Sequence, residues 1–267
     1  MKNPVYIYQT VDLKPELHLV KGNSKIGSTI WSFSTLPGDE DHLLQLKDGR
    51  YLIDTHGTCA EQCKHCFDKG CYAVNAALWC YNTVIPAWTE NTLLKRRGEL
   101  FTALRSWFAA KNKPGKPPKV TVFRINVSGE IESADELREW NRLAAEHPET
   151  KFGLYTKNYA ALEGFLNDPG TPRAANFAIN VSQWHGCADE FLAAHPQACN
   201  VFEYDDSLRG GCTLSEDDRV RLSRLSHCPA VLASGKHAKT AAGDPITCDT
   251  CLRCYRNTGR TTAVYAH

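Results

Sequence analysis

From residue 119 onward, short apolar runs alternate with helical segments, and this alternation is the strongest constraint on the fold. Extended runs occupy residues 119–127, 152–156, 176–181, 201–204 and 229–233. Helices are expected from Ser133, where Ser-Ala-Asp-Glu is a capping-box pattern, and over 160–166. Strands that alternate with helices predict βαβ units and a parallel sheet. Roughly six such units predict an α/β fold, a partial (βα)6-type parallel barrel, with its chemistry at the carboxyl ends of the strands.

The flanking segments have a different character. The N-terminal part reads as strands and turns, with an extended run at 29–34, and a further run at 50–55 leads into a cysteine-rich loop. A long helical stretch at 75–110 follows, interrupted around Pro86. The sequence therefore predicts three parts: a β-rich N-terminal extension over 1–50, the barrel over 51–235 and a cysteine-rich C-terminal segment over 236–267.

Composition limits the classes of function. The 267 residues carry a formal charge of +1, so nucleic-acid binding is unsupported by charge, and no overall field would attract a membrane surface. The N-terminal residues lack the apolar core of a signal peptide, and no run is long enough to span a membrane. We therefore expect a cytoplasmic protein. Because disulfides are disfavoured in that compartment, clustering among the twelve cysteines predicts metal binding.

The first cysteine cluster lies at residues 59–71. Cys59, Cys63 and Cys66 have the spacing C-x3-C-x2-C, which suits three corners of a [4Fe–4S] cluster and leaves the fourth iron open for another ligand. The loop follows a strand and precedes a helix, so we expect it at a strand's carboxyl end, where a catalytic cofactor belongs in this architecture. Cys71 is the alternative fourth ligand, which would close the site or make it a four-thiolate zinc site.

Polar residues follow the predicted strands at the same edge. The strand at 119–127 ends in Ser128-Gly129-Glu130, where a carboxylate could accept hydrogen bonds from an ammonium group and glycine allows close backbone approach. Arg124 and Asn126 share one face of that strand, which would suit a barrel interior. Further candidates for ligand contact follow later strands: Lys157, Ser182, Gln183 and Asp205.

A second cluster of three cysteines lies near the C-terminus: Cys248, Cys251 and Cys254. Their C-x2-C-x2-C spacing is like that of the first three ligands in a bacterial-ferredoxin run. A fourth ligand must come from elsewhere, and Cys228 is the nearest upstream candidate, ahead of Cys212. Four thiolates would close the site and give an auxiliary [4Fe–4S] cluster. The alternative is zinc, held by four cysteines or by three cysteines with His227 or His237.

With these motifs the chain resembles the radical S-adenosylmethionine (SAM) superfamily, and in particular a phage-associated family of unassigned activity, the gene product 88 family. The latter resemblance covers most of the chain and is carried by these segments: 23–27, 33–37, Cys71-Tyr72-Ala73, 124–130, 155–157 and the three C-terminal cysteines. In that family the turn usually reads Ser-Gly-Asp, so Glu130 here is closer to the superfamily motif.

The resemblance implies a radical SAM enzyme, an oxidoreductase that cleaves SAM reductively to a 5′-deoxyadenosyl radical, which abstracts hydrogen from an unknown substrate. Cys59, Cys63 and Cys66 would hold the catalytic cluster, with SAM on its fourth iron. The implied SAM-contacting residues are Ser128, Gly129, Glu130, Lys157 and Ser182. The implied partner is a small electron donor such as flavodoxin or ferredoxin.

Two other functions stay open on the sequence alone. One is an iron–sulfur protein that transfers electrons or acts as a sensor without SAM. The other is a zinc-stabilised binding protein with two four-cysteine sites.

Overall fold

The structure is a computed structural model that describes residues 4–23, 26–59, 66, 71–184, 186–205, 215–232, 234 and 236–265. Its strands within these residues are β1 (Tyr6–Tyr8), β2 (Leu19–Asn23), β3 (Gly27–Phe33), β4 (Tyr51–Ile53), β5 (Val122–Ile125), β6 (Lys151–Thr156), β7 (Phe177–Gln183), β8 (Asn200–Asp205) and β9 (Thr261–Tyr265). The helices are α1 (Tyr72–Trp79), α2 (Tyr81–Arg96), α3 (Leu100–Lys111), α4 (Ala134–Glu146), α5 (Tyr159–Leu166), α6 (Asp189–Ala194), α7 (Glu216–Ser223) and α8 (Cys248–Cys251). None of these helices combines the length and apolar character needed to cross a membrane.

Seven strands form one sheet in the order β2-β3-β5-β6-β7-β8-β9. β2 pairs antiparallel with β3 at one edge, and the other pairings in this sheet are parallel. The predicted α/β class and parallel sheet are therefore confirmed. Because the spatial order equals the chain order, right-handed crossovers carry the helices to one side of the sheet. Among the described residues, β2 and β9 remain the edges, and no pairing joins them into a closed barrel.

Helices cover one face of this sheet, which we call the outer face. Alternate strand residues point to it, including Phe123, Phe152 and Phe177, and all three are buried. They pack in one core with α3, α4 and α5, to which Phe108 and Trp140 contribute aromatic contacts. Burial of each such large apolar side chain stabilises the fold by about 1.5–3 kcal/mol. This core holds the carboxyl ends of the parallel strands at one edge.

The C-terminal segment crosses the opposite, inner face of the sheet. Tyr255 lies on Gly153 of β6, where an added Cβ would stand 2.5 Å from the tyrosine ring. Asn180 of β7 donates from Nδ2 to the carbonyl oxygen of Cys254 (2.9 Å). Asn200 of β8 donates from Nδ2 to the carbonyl oxygen of Arg256 (2.8 Å). These bonds satisfy the carbonyl groups of an irregular segment and fix the C-terminal cysteines against the sheet.

The last strand lies elsewhere than the sequence predicts. The described part of 229–233 forms no strand, and His227 makes only an isolated bridge to Ala263. Pro229 has no backbone N–H to donate to a neighbouring strand, which disfavours pairing there. The sixth parallel strand is β9, which pairs with β8. The sheet thus takes strands from all three predicted parts of the chain, and the division into those parts stays a prediction.

The helical stretch predicted at 75–110 consists of three helices, and the prediction that it is interrupted around Pro86 is wrong. Pro86 lies in the second turn of α2, where the hydrogen bond lost is the one to Asn82 in the first turn. α1 ends instead at Cys80, and Arg97 caps the end of α2. Gly98 follows with φ +72°, the left-handed conformation typical of the residue after a helix end. Glycine, not proline, therefore stops this helix.

β1 and β4 form a separate two-stranded parallel pair. The strand before the cysteine loop is therefore outside the main sheet, contrary to the prediction, because Leu52 and Ile53 pack into a small core of their own. The loop reaches the main sheet through its base. The amides of Thr58 and Cys59 donate to carbonyl oxygens just beyond β3 (3.0 Å each). These bonds bring the start of the cysteine loop to the carboxyl end of a parallel strand.

Candidate functional site

One cavity of about 450 Å³ lies between the carboxyl ends of the parallel strands, the cysteine loop and the C-terminal segment. The predicted site residues that line it are Cys59, Cys66, Cys71, Ser128, Gly129, Glu130, Lys157, Ser182, Cys228, Cys248, Cys251 and Cys254. The predicted ligand Cys63 lies outside the described residues. The two cysteine clusters, far apart in sequence, therefore share one cavity with the strand-end residues.

The base of the cysteine loop packs against the Ser-Gly-Glu turn that follows β5. Thr58 Oγ1 accepts a hydrogen bond from the amide of Glu130 (2.9 Å) and lies 2.8 Å from Thr35 Oγ1. Gly129, at φ +76°, sits against both threonines, and an added Cβ would stand 1.9 Å from Thr35 Oγ1. The glycine is therefore needed for packing of the loop base as well as for its backbone conformation.

Glu130 joins two strand ends. Its Oε1 accepts from the amide of Ile131 and its Oε2 from the amide of Lys157, both at 2.8 Å. Burial raises the pKa of Glu130, while these backbone bonds act in the opposite direction. The carboxyl group therefore ties the turn after β5 to the end of β6 in addition to lining the cavity.

Two basic residues of α2 hold this region together. Arg96 donates from Nη2 to the carbonyl oxygens of His56 and Gly57 (3.0 Å each). The buried Lys95 Nζ donates to the carbonyl oxygen of Glu130 (2.8 Å) and pairs with Glu136 (2.8 Å). The loop before Cys59 and the turn at 128–130 are thus fixed by neighbouring residues of one helix.

Hydrogen bonds and nearby charges act on the sulfur atoms of the described loop cysteines. The amide of Gly38 donates to Cys59 Sγ (3.3 Å), the kind of bond that tunes iron–sulfur sites. A hydrogen bond from Cys66 lowers the pKa of Cys71 to about 6, and amides in the first turn of α1 act in the same direction. The same bond and burial raise the pKa of Cys66. Lys157 lowers both values, so the pair holds one thiolate beside a cation.

The C-terminal cysteines form a second, more buried group. Burial raises the pKa of Cys254 to about 11, and the negative charges of its three cysteine neighbours, Cys228, Cys248 and Cys251, raise it further. A hydrogen bond with Tyr155 acts in the opposite direction. Asp249 fixes α8 to β3, because its Oδ2 accepts from the amide and the hydroxyl of Thr29 (3.3 and 3.1 Å). All three of these cysteines therefore lie near Cys254, and the assignment of Cys228 as the fourth ligand stays a prediction.

The alternative histidine ligands are engaged elsewhere. His227 Nε2 lies 2.8 Å from Asp205 Oδ2, and its Nδ1 lies 3.1 Å from the carbonyl oxygen of Leu225. His237 Nδ1 lies 3.1 Å from a backbone carbonyl oxygen. Neither histidine lines the cavity, nor does Asp205. Gln183 does line it, but its amide bonds Asp189 and the loop before α6.

Several buried polar atoms of the cavity wall have no hydrogen-bond partner among the described residues. They are Arg124 Nε, both amide atoms of Asn126 and Ser128 Oγ. Arg124 and Asn126 both face the cavity, as the alternation along β5 predicts. A buried polar atom without a partner is costly, which makes these atoms candidates for ligand contact.

The donor set fits iron–sulfur ligation, because thiolates are the usual ligands of such clusters. Within the part of the chain that the structure describes, no three His, Cys, Asp or Glu side chains form a group that could hold one metal ion. Four sulfurs around a single zinc would lie about 3.8 Å apart, given a Zn–S distance of about 2.3 Å. A four-iron cluster puts each thiolate on a different iron and therefore farther from the others. Sulfur atoms too far apart to hold one metal ion are therefore compatible with a four-iron cluster.

Sequence reasoning overlooked three residues that shape the site. Tyr155 bonds Cys254 and lies under Arg124, with 4.7 Å from the guanidinium carbon to the ring centroid. The period-two alternation along β6 could have placed Tyr155 on the inner face. Arg96 and Thr58 act through contacts far apart in sequence, for which no local signal exists.

These features define the chain as a mixed α/β protein with a cysteine-lined cavity at the carboxyl edge of a parallel sheet. The chain belongs to the gene product 88 family, whose profile matches residues 17–257. No curated protein and no solved structure matches it. The family resemblance that the motifs predict is therefore confirmed, and it covers all of the cysteines discussed above.

Proposed function

We propose that this protein is an iron–sulfur enzyme of the radical SAM type, with a catalytic cluster at the cysteine loop and a second cluster at the C-terminal cysteines. The observation that carries the proposal is the shared cavity. Cysteines of both clusters, the 128–130 turn and Lys157 all line it. A cofactor on the loop, a ligand on the turn and a substrate would therefore meet in one space.

The strand order supports this proposal. Six parallel strands in chain order, with helices on the outer face, have the connectivity of a partial (βα)6 barrel. Among the described residues this sheet is open between its edge strands β2 and β9. In barrels of this kind, active sites lie at the carboxyl ends of the strands. The cavity lies at that end. We therefore propose that the sheet forms a radical SAM-like partial barrel around the cavity.

The first cluster would be held by Cys59, Cys63 and Cys66, with SAM on its open side. When bound, these groups would supply hydrogen abstraction from a substrate through reductive cleavage of SAM. Ser128 and Gly129 would present the turn to the SAM amino group, and the carbonyl and carboxyl groups of such a turn suit an ammonium. Lys157 and Ser182 would contact its carboxylate or ribose.

The second cluster would be closed by four thiolates. Cys228 would complete the set formed by Cys248, Cys251 and Cys254. The hydrogen bond from Tyr155 to Cys254 would help set the reduction potential, because bonds to ligand sulfurs tune such clusters. A small electron donor such as flavodoxin or ferredoxin would reduce the protein.

The proposal is tested by anaerobic purification, metal and sulfide analysis, and incubation of the reduced protein with SAM. We expect about eight irons per chain, little zinc, and formation of 5′-deoxyadenosine. Two zinc ions per chain would favour a zinc-stabilised protein. The radical SAM assignment fails if no 5′-deoxyadenosine forms and SAM leaves the paramagnetic resonance spectrum of the reduced cluster unchanged.

Cysteines outside the cavity provide matched controls. Cys59→Ala and Cys66→Ala should abolish SAM cleavage and remove about half of the iron. Cys80→Ala and Cys187→Ala should leave both unchanged, because those thiols are exposed and do not line the cavity. Cys71→Ala decides whether that thiol is a ligand: retained iron with retained turnover would make the cluster a three-cysteine site.

One observation favours a second candidate, an iron–sulfur protein that transfers electrons without SAM. Both carboxyl oxygens of Glu130 already accept bonds from backbone amides, as a residue with a purely structural role would. This candidate predicts a full complement of iron and reversible one-electron reduction, with neither binding nor cleavage of SAM.

A further inference from the structure

We infer that Arg124 and Asn126 bind an anionic oxygen group, a carboxylate or a phosphate, on the substrate of this cavity. The inference rests on the proposed function and extends it from the chemistry to the class of substrate. It depends on the geometry of two polar side chains in the cavity wall, beyond the predicted SAM-binding turn.

Arg124 is a cation in the wall of the cavity. It lines the cavity from β5, its Nε has no hydrogen-bond partner, and no carboxylate pairs with it among the described residues. Its guanidinium lies on the ring of Tyr155, 4.7 Å from the ring centroid. A guanidinium held over an aromatic ring can still donate hydrogen bonds from its N–H groups. The side chain is therefore positioned for a planar or tetrahedral oxyanion.

Asn126 adds a second group of the same kind. Asn126 is 5% exposed, and neither its Nδ2 nor its Oδ1 has a hydrogen-bond partner among the described residues. Its backbone has φ +50°, a left-handed conformation that costs roughly 1–3 kcal/mol in a residue other than glycine. Strained backbone together with a buried, unpaired amide is typical of a binding position. Asn126 Nδ2 could donate to the same oxyanion, and Oδ1 could accept from a neighbouring ammonium or hydroxyl group.

The carboxylates that line the cavity have other partners. Both oxygens of Glu130 accept backbone amides. Asp39 Oδ1 lies 2.6 Å from His42 Nδ1 and accepts from the amide of Asp41 (3.0 Å). Among the described residues, no carboxylate of the cavity is left to balance Arg124, and a ligand or metal-bound thiolates such as that of Cys248 would supply the negative charge. The experiment has to separate these two sources.

The test is isothermal titration calorimetry of the anaerobically purified protein, with its metal content measured, against inorganic phosphate and against acetate. We expect at least one of the two to bind. Arg124→Gln should weaken that binding about ten- to a hundredfold, and Asn126→Asp should weaken it by a similar factor through repulsion. Arg124→Lys should retain part of the affinity. Arg142→Gln, an exposed arginine on α4, is the control and should change nothing.

Four outcomes would overturn the inference. In the first, neither anion binds, and in the second, Arg124→Gln leaves anion binding unchanged. Alternatively, Arg124→Gln weakens SAM binding alone, which would assign the site to the carboxylate of SAM. Or it shifts the potential or iron content of the C-terminal cluster without affecting anion binding, which would make Arg124 a counter-charge for thiolates. Anion binding that persists in a protein unable to cleave SAM would refute the proposed function and leave this site in place.

Discussion

The two cysteine groups line one cavity but are held in different ways. The loop group is fixed at its base: Arg96 holds the backbone before Thr58, and Gly38 donates to the sulfur of Cys59. The C-terminal group is fixed along its length by side chains of the sheet. Asn180 bonds the backbone of Cys254, and Asp249 fixes α8 to β3. Among the described residues, the loop group is therefore held through the backbone at its base, whereas the C-terminal group is held by side chains of the sheet.

The pKa directions show the same contrast. The thiol of Cys71 has a pKa lowered to about 6, so it is ionised at neutral pH without a metal. Burial raises the pKa of Cys254 to about 11, so a thiolate at that position is disfavoured near neutral pH. The loop pair of Cys66 and Cys71 therefore shares one thiolate, whereas burial disfavours a thiolate at Cys254.

The largest effect is expected from removing a C-terminal ligand. Cys254→Ala should lower the free energy of unfolding by about 5 kcal/mol and remove about half of the iron, because binding of the proposed second cluster would be coupled to the packing of the segment on the sheet. Cys59→Ala should remove the other half and cost less than about 1.5 kcal/mol. Thermal unfolding with iron analysis measures both. Equal losses of stability would show that the two groups do not differ in this way.

The next effect concerns the support of the loop group. Lys95→Met should cost about 3–5 kcal/mol, since it leaves Glu136 without its counter-ion in a buried position. Denaturant unfolding measures the loss. Arg105→Met is the matched control: its ion pairs with Glu139 and Glu146 are partly exposed, so it should cost under about 1 kcal/mol. A loss that small for Lys95 would mean that α2 does not hold the turn at 128–130.

Local sequence signals predicted much of the fold. β5 and β6 follow from apolar, β-branched runs, and α4 begins where Ser133 accepts from the amide of Glu136. The shared face of Arg124 and Asn126 follows from alternation alone. β9 was not predicted, because its Thr-Thr-Ala-Val-Tyr run is short and the strand with which it pairs, β8, is distant in the sequence. Local patterns thus identify elements whose own residues supply the stabilising contacts.

The site could be predicted only in part, for a related reason. Cysteine spacing identified the candidate ligands, and proximity in the chain singled out Cys228. The path of the C-terminal segment across the inner face depends on Asn180, Asn200 and Gly153, which read as ordinary strand residues in the sequence. Contacts between residues so far apart carry no local signature.

A smaller effect is expected at the turn that supports the loop group. Gly129→Ala should cost about 2–3 kcal/mol, because φ is +76° and the new methyl group would collide with Thr35. Gly115→Ala, at φ +70° with open space around it, should cost only about 1 kcal/mol. Chemical denaturation compares the two. If the two substitutions cost the same, the whole effect at Gly129 would come from its backbone conformation, and close packing of this turn against the loop base would not contribute.

The smallest effect is expected at Asp249, which holds α8 of the C-terminal group against β3. Burial of Asp249 disfavours its charged form, but hydrogen bonds from Thr247 and Thr29 favour that form and lower the pKa of Asp249 below its usual 3.8. A lowered folded-state pKa stabilises the protein above pH 3.8, and this contribution is lost as pH falls through the folded value. Asp249→Asn should therefore cost under about 1 kcal/mol at neutral pH, and the difference from the unmodified protein should shrink below pH 4. Asp12→Asn, at an exposed position, should show no such dependence. A difference that stays constant from pH 7 to pH 3 would mean that the charge of Asp249 does not hold α8 against β3.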